Sequence, residues 1–379
     1  MKSTYFIAGM LVLLLACKKP NLVIPPKAGS VGTISNYLST NFDLSLFYAA
    51  IQKSGLSDSL DHTDGEFTVF APLNTAFYKD SVYKTTDLDK WTADSLKTFV
   101  KNYILPRKLF YKDIPTTLDS RYTNLNGIDL FVSEGQVFPL AVNGVIVQPS
   151  GSLDPSLRTF GITQLNGIVY PLLSTLRIST GTVQDLIASV PALSHLQAGL
   201  KKFGLWDMLS KEGPFTVLAP QDTAFERYGL TLDSIGRLNT ADYDPVLFGI
   251  YAISPNHIYI TDVPQVQNTA AAVLPTISDS LALMMSCTAD NYTNMKSLSA
   301  IVARLPMYQN QGPSFVGPGY SGSYNIPSGT NFLGEPPPGL YCCSLALPPS
   351  GKYTNYTCSN GIVHLLSGIL LRPSDVDNH

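Results

Sequence analysis

One phrase is written twice in this chain. Residues Gly65 to Phe77 read GEFTVFAPLNTAF, and Gly213 to Phe225 read GPFTVLAPQDTAF, at a constant offset of 148 residues. A repeat of this kind constrains the fold more than local propensity does, because both copies must build the same unit. With 379 residues, 45% of them hydrophobic, the chain has room for two ordinary domains of about 100–200 residues each.

The match extends beyond the phrase. Thr33–Leu56 parallels Thr182–Leu205, with Ile34, Leu38, Leu44, Phe47 and Leu56 answered by Val183, Ile187, Leu193, Leu196 and Leu205. Apolar spacings of three and four predict two successive amphipathic helices in each copy, closed by Gly55 and Gly204 at their C-termini. The alternating, β-branched FTVFAP and FTVLAP predict a strand that stops at Pro72 and Pro220. Asn74 and Asp222 then stand where a side-chain oxygen caps a short following helix. Each copy ends alike, at Asn166-Gly167-Ile-Val and Asn360-Gly361-Ile-Val. Asn-Gly is a strong hairpin-turn signal, so a turn and a closing strand are expected there.

Two such blocks, in order and in two copies, resemble the fasciclin (FAS1) domain. The resemblance implies an α+β fold class: two tandem FAS1 domains, each a wedge-like β-sandwich flanked by helices, spanning residues 31–178 and 179–375. It also implies adhesion or surface binding rather than catalysis. Many relatives carry a Tyr-His pair between the two blocks. Here Tyr103 and Tyr251 occupy the histidine's place, after Asn102 and Ile250, which argues against an integrin-type role. Both tyrosines are expected to be buried with their hydroxyls satisfied.

The copies differ in length. Phe77 and Asn166 lie 89 residues apart, Phe225 and Asn360 lie 135 apart, and the excess of 46 falls in the second copy. An insertion at about 287–358 holds Cys287, Cys342, Cys343 and Cys358, four candidate disulfide partners in an exported chain. Between Gln311 and Gly351 lie eight glycines, eight prolines and one acid, Glu335. Phe315, Tyr320, Tyr324, Phe332 and Tyr341 punctuate this stretch as candidate binding residues, since exposed aromatic rings commonly anchor interfaces.

The N-terminus has its own logic. Residues 1–16 have the three-part plan of a signal peptide, and the apolar run from Tyr5 to Leu15 is too short to span a bilayer, which takes roughly 20 residues. Leu14-Leu15-Ala16-Cys17 resembles a bacterial lipobox, which makes Cys17 the candidate lipidation site and 17–30 a Pro-rich tether. Lipobox and domain pair together look like Bacteroidota lipoproteins of the outer membrane, displayed on its periplasmic or its outer side.

Net charge is only −3, with no basic patch for a nucleic-acid partner. His62, His195, His257, His364 and His379 lack metal-ligand spacing, and neither a nucleophile elbow nor a dinucleotide fingerprint occurs. His364 alternates with apolar neighbours on the closing strand, as a structural histidine would. No metal, no cofactor and no catalytic residue is expected. The partners expected are the membrane, through the lipid anchor, and a glycan or a surface or matrix protein. A glycan-binding accessory of polysaccharide uptake is the alternative function, and a polysaccharide hydrolase the more distant one.

Overall fold

The structure is a computed structural model describing residues 31–135, 140–150, 159–254, 257–263, 273–275, 277, 281–290, 294–304, 341–345, 355–366 and 368–373. In the strands between 273 and 345 only the backbone is described.

The first half runs α1 (Ile34–Thr40), α2 (Ser45–Lys53), β1 (Phe67–Pro72), α3 (Asn74–Lys79), α4 (Ala93–Lys101), β2 (Ile104–Leu105), β3 (Ser120–Thr123), β4 (Asp129–Ser133), β5 (Ala141–Val142), β6 (Val145–Ile146), β7 (Ile162–Gln164), β8 (Gly167–Leu172) and β9 (Arg177–Ile178). The second runs α5 (Val183–Ser189), α6 (Ser194–Lys202), β10 (Phe215–Pro220), α7 (Asp222–Glu226), α8 (Leu232–Arg237), α9 (Val246–Gly249), β11 (Ala252–Ile253), β12 (Val273–Pro275), β13 (Leu281–Asp290), β14 (Asn294–Arg304), β15 (Tyr341–Leu345), β16 (Tyr356–Cys358) and β17 (Gly361–Leu366). The fold is α+β.

Each repeated phrase forms the central strand of a sheet. β1 lies parallel to β8 in the order β2-β1-β8-β7, and β10 lies parallel to β17 in the order β11-β10-β17-β16-β9. A second sheet completes each half, β3-β4-β5-β6 in one and β12-β13-β14-β15 in the other. Part of the 46-residue excess is therefore sheet: β13 and β14 have 10 and 11 residues, against five and two in β4 and β5.

Among the described residues there are two hydrophobic cores, and the repeat positions fall inside them. Ile34, Leu38, Leu44 and Phe47 are buried in one, and Val183, Ile187, Leu193 and Leu196 in the other. Gly55 and Gly204 end α2 and α6 as expected, at φ +73° and +70°, a left-handed conformation that glycine adopts without the usual steric cost. Leu56 N then reaches back to the Ile51 carbonyl, and Leu205 N to that of Leu200.

Two expectations need correcting. Asn74 and Asp222 do not cap the helices they begin. Asn74 Oδ1 accepts from Leu46 N at 3.0 Å, and Asp222 Oδ1 accepts from His195 N at 2.9 Å. Each caps the preceding long helix, α2 or α6, from across the fold, where an acceptor meets the positive end of the helix dipole.

The Asn-Gly pairs are likewise not two-residue turns. The hairpin loops are Leu165-Asn166 and Ser359-Asn360, with each glycine already in strand register. Asn166 is a bracket: its Oδ1 accepts from Ile34 N at 2.8 Å, while its Nδ2 donates to the carbonyls of Leu60 and His62. Asn360 does the same for Val183 N and the carbonyls of Leu209 and Lys211. The glycines are there for space, since a Cβ on Gly167 would stand 2.0 Å from the Phe67 carbonyl oxygen, and one on Gly361 2.4 Å from that of Phe215.

Candidate functional site: the cleft and joint between the halves

β9 follows the last long strand of the first half, yet it pairs in parallel with β16 of the second. The boundary drawn after Ile178 thus cuts off an edge strand of the second sheet. Around that strand the two halves enclose a cleft of about 700 Å³.

One wall is a sheet face. β3 and β4 pair Arg121 with Phe131 and Thr123 with Asp129; these four line the cleft, while Leu130, next along the strand, is buried. That is ordinary strand alternation. Thr123 Oγ1 donates to Asp129 Oδ1 at 2.8 Å, and the Arg121 guanidinium lies 5.5 Å from the Phe131 ring centroid. The facing wall comes from 178–182, 210–214 and 357–361, including the exposed Lys211 and Glu212. The cleft thus presents two cations, two carboxylates and several hydroxyls, a balanced set for hydrogen bonding.

Beyond Phe131 the halves touch. Asn143-Gly144, at the β5–β6 turn with φ 46° and 69°, reaches the second half. Asn143 Nδ2 donates to Thr357 Oγ1 at 3.2 Å, and Asn355 Nδ2 donates to the Gly144 carbonyl at 3.0 Å. Thr357 also bonds the Tyr259 hydroxyl at 3.1 Å. The His257 ring sits 4.2 Å from that of Phe131, and its Nδ1 lies 3.5 Å from Asp119 Oδ2. Among the described residues, four non-glycines have positive φ, and Asp119, Asn143 and Asn355 of these are at this joint. Backbone strain of about 1–3 kcal/mol per residue collects at sites that have work to do.

Sequence reasoning missed the joint. The true Asn-Gly hairpin, in Val142-Asn143-Gly144-Val145, was the available signal. The residues that the sequence did single out are accounted for as follows. Tyr103 and Tyr251 are buried, and their hydroxyls accept from Leu176 N and Leu370 N at 2.9 and 3.0 Å. Burial pushes the Tyr103 hydroxyl well above the usual phenol range. His364 is fully buried; its Nδ1 accepts from Asn355 N, so its Nε2 donates to the Ile258 carbonyl, a neutral tautomer that burial lowers to a pKa of about 4. Of the four candidate disulfide cysteines, the side chain of Cys358 is the one among the described residues. It is a free thiol, 6% exposed, and burial raises its pKa to about 12.

Cys17, Phe315, Tyr320, Tyr324 and Phe332 lie outside the described residues, as do the side chains of Cys287, Tyr341, Cys342 and Cys343. Among the described residues no group of three His, Cys, Asp or Glu side chains could hold a metal ion, and no helix is long and apolar enough to cross a membrane.

Comparison with known proteins bears on this geometry. Residues 42–171 match the fasciclin domain. Human periostin is 24% identical over 204 residues, which are 54% of this chain and 23% of periostin, so the chain spans about a quarter of that relative. A solved FAS1 domain pair from the insect cell adhesion molecule fasciclin I covers 88% of this chain and 98% of its own, at 17% identity and a TM-score of 0.36. The domain match falls on the first copy of the repeat, and the first half of the chain is by that match similar to a fasciclin domain.

Proposed function

We propose that the chain is a non-enzymatic adhesion or binding module built of two tandem fasciclin domains, with the cleft between them as its recognition site. The observation that carries the tandem reading is the matched set of long-range contacts. Asn166 and Asn360, Asn74 and Asp222, and Tyr103 and Tyr251 make the same bonds in both halves. The cleft reading rests on its walls, which come from both copies and offer hydrogen-bonding groups around the partly buried Phe131 ring.

Cys17 supplies the lipid anchor in this proposal, with 17–30 as tether, and places the protein in the cell envelope. Growth with radiolabelled palmitate checks this: label that persists in a Cys17→Ser chain would rule it out. Protease shaving of intact cells then separates outer from periplasmic display.

A glycan ligand is the second reading, favoured by the neutral, hydroxyl-rich lining of the cleft. The test is a screen of glycans and matrix proteins against the form lacking residues 1–17, repeated with Arg121→Ala and Lys211→Ala. Binding that survives both substitutions unchanged excludes the cleft and returns attention to residues 311–351.

A further inference from the structure

The joint carries more polar chemistry than it satisfies. Asp119 Oδ1, His257 Nδ1, Thr261 Oγ1 and Asp262 Oδ1 are buried without a hydrogen-bond partner among the described residues. Asp262 is 1% exposed, and among the described residues its carboxyl takes bonds from Tyr259 N, at 2.9 Å, and from Ser133 of the other half. Asp119, held at φ 56° with its N–H on Ser133 Oγ at 3.1 Å, adds a second carboxylate from the first half. Two carboxylates brought together across a buried seam are stable only if something balances their charge. Among the described residues no group of three His, Cys, Asp or Glu side chains could hold a metal ion, and a proton on one carboxyl balances the charge.

We infer that Asp262, facing Asp119 across the joint, is a proton-operated latch, closed when its carboxyl holds a proton and released, opening the cleft, when that proton leaves. A proton on Asp262 would remove its repulsion from Asp119, whose Oδ2 lies 3.5 Å from His257 Nδ1. Burial first, and Asp119 second, hold the Asp262 carboxyl well above the usual aspartate range.

The other groups facing the cluster leave that direction intact. Tyr259, raised well above its usual range, and Cys358, at about 12, both stay neutral. His364, at about 4, stays neutral above mildly acidic pH. Arg121 stacks on the far partner, Phe131, with its charge exposed.

The sign follows from linkage. The closed joint has the higher Asp262 pKa and so binds more protons. Its advantage is complete below about pH 4, the ordinary aspartate value, and is lost as pH rises through the raised value. Each proton released on opening changes the open population by up to about tenfold per pH unit.

The latch stands on the joint alone; only its effect on ligand access rests on the cleft being the binding site. The experiment is hydrogen–deuterium exchange of the full chain in detergent from pH 5 to 9, corrected for intrinsic rates. Segments 129–133 and 258–263 are followed against β10 as internal reference. The joint segments are expected to lose protection, relative to β10, as pH rises. Asp262→Asn is expected to flatten that dependence and Asp119→Asn to weaken it; both keep side-chain shape, with β10 protection confirming that each is folded. A flat wild-type profile, or an unchanged slope in both folded variants, overturns the latch. A joint that responds while glycan or matrix-protein binding does not would refute the cleft as the binding site and leave the latch supported.

Discussion

Asn166 and Asn360 each collect three backbone groups, the first N–H of α1 or α5 and two carbonyls. Removing such a side chain leaves one N–H and two carbonyls without it, at about 1–3 kcal/mol for each group left buried and unsatisfied. Asn166→Ala should therefore destabilise the first half by several kcal/mol and barely touch the second. Urea unfolding read by Trp91 in a Trp206→Phe background checks this. The asymmetry between the copies makes a second prediction. Where the first half donates from Tyr170 to the Leu109 carbonyl at 2.8 Å, the second uses His364 and the carbonyl of Ile258. A histidine lowered to about 4 contributes stability that is whole above about pH 6.5 and lost as pH falls toward 4, on the order of 3 kcal/mol. Acid should thus weaken the second half selectively, and Trp206 fluorescence in a Trp91→Phe chain would report it. Little of this was legible in the sequence. The Asn-Gly signal was present, but Ile34 lies 132 residues from Asn166, and a window that reads turns cannot see a bracket. Tyr103, by contrast, was read correctly, because a lone tyrosine among apolar residues has few places to go.

The elements show the same division between local and distant causes. Strands ending at Pro72 and Pro220, and helices ending at Gly55 and Gly204, follow from backbone chemistry within a few residues, and the sequence predicted all four. The caps were harder, because Asn74 and Asp222 look like N-caps of their own helices and serve α2 and α6 instead. This displaced cap ties the strand-to-helix corner to the helix that opens each half. Asn74→Ala should cost about 1–2 kcal/mol, the usual worth of a cap, and its effect should appear as faster amide exchange at the start of α2 rather than in α3. Exchange that rises in α3 alone would mean that the cap is local after all.

Across the whole molecule two pH trends oppose one another. Protons favour the closed joint and, at lower pH, disfavour the core around His364. Closure is therefore expected to be firmest in mildly acidic conditions, where Asp262 retains its proton and His364 has not gained one. The joint also depends on the Asn143-Gly144 turn, where a Cβ on Gly144 would lie 2.5 Å from the Asn355 side chain at φ +69°. Gly144→Val should separate the halves without unfolding either, measurable as a larger radius of gyration with unchanged circular dichroism. The cleft itself could not be read from sequence, because its walls draw on segments from 121 to 361 that only the fold brings together.

β9 sets the terms on which these copies can part. The first half hands its final residues to the sheet of the second, so the connection between them is itself a structural strand. The copies are in this way unequal: the first can be removed whole only by taking an edge strand from its neighbour's sheet. The pair is expected to be inherited whole, and a second half expressed from residue 179 onward should be less stable than one begun before Arg177.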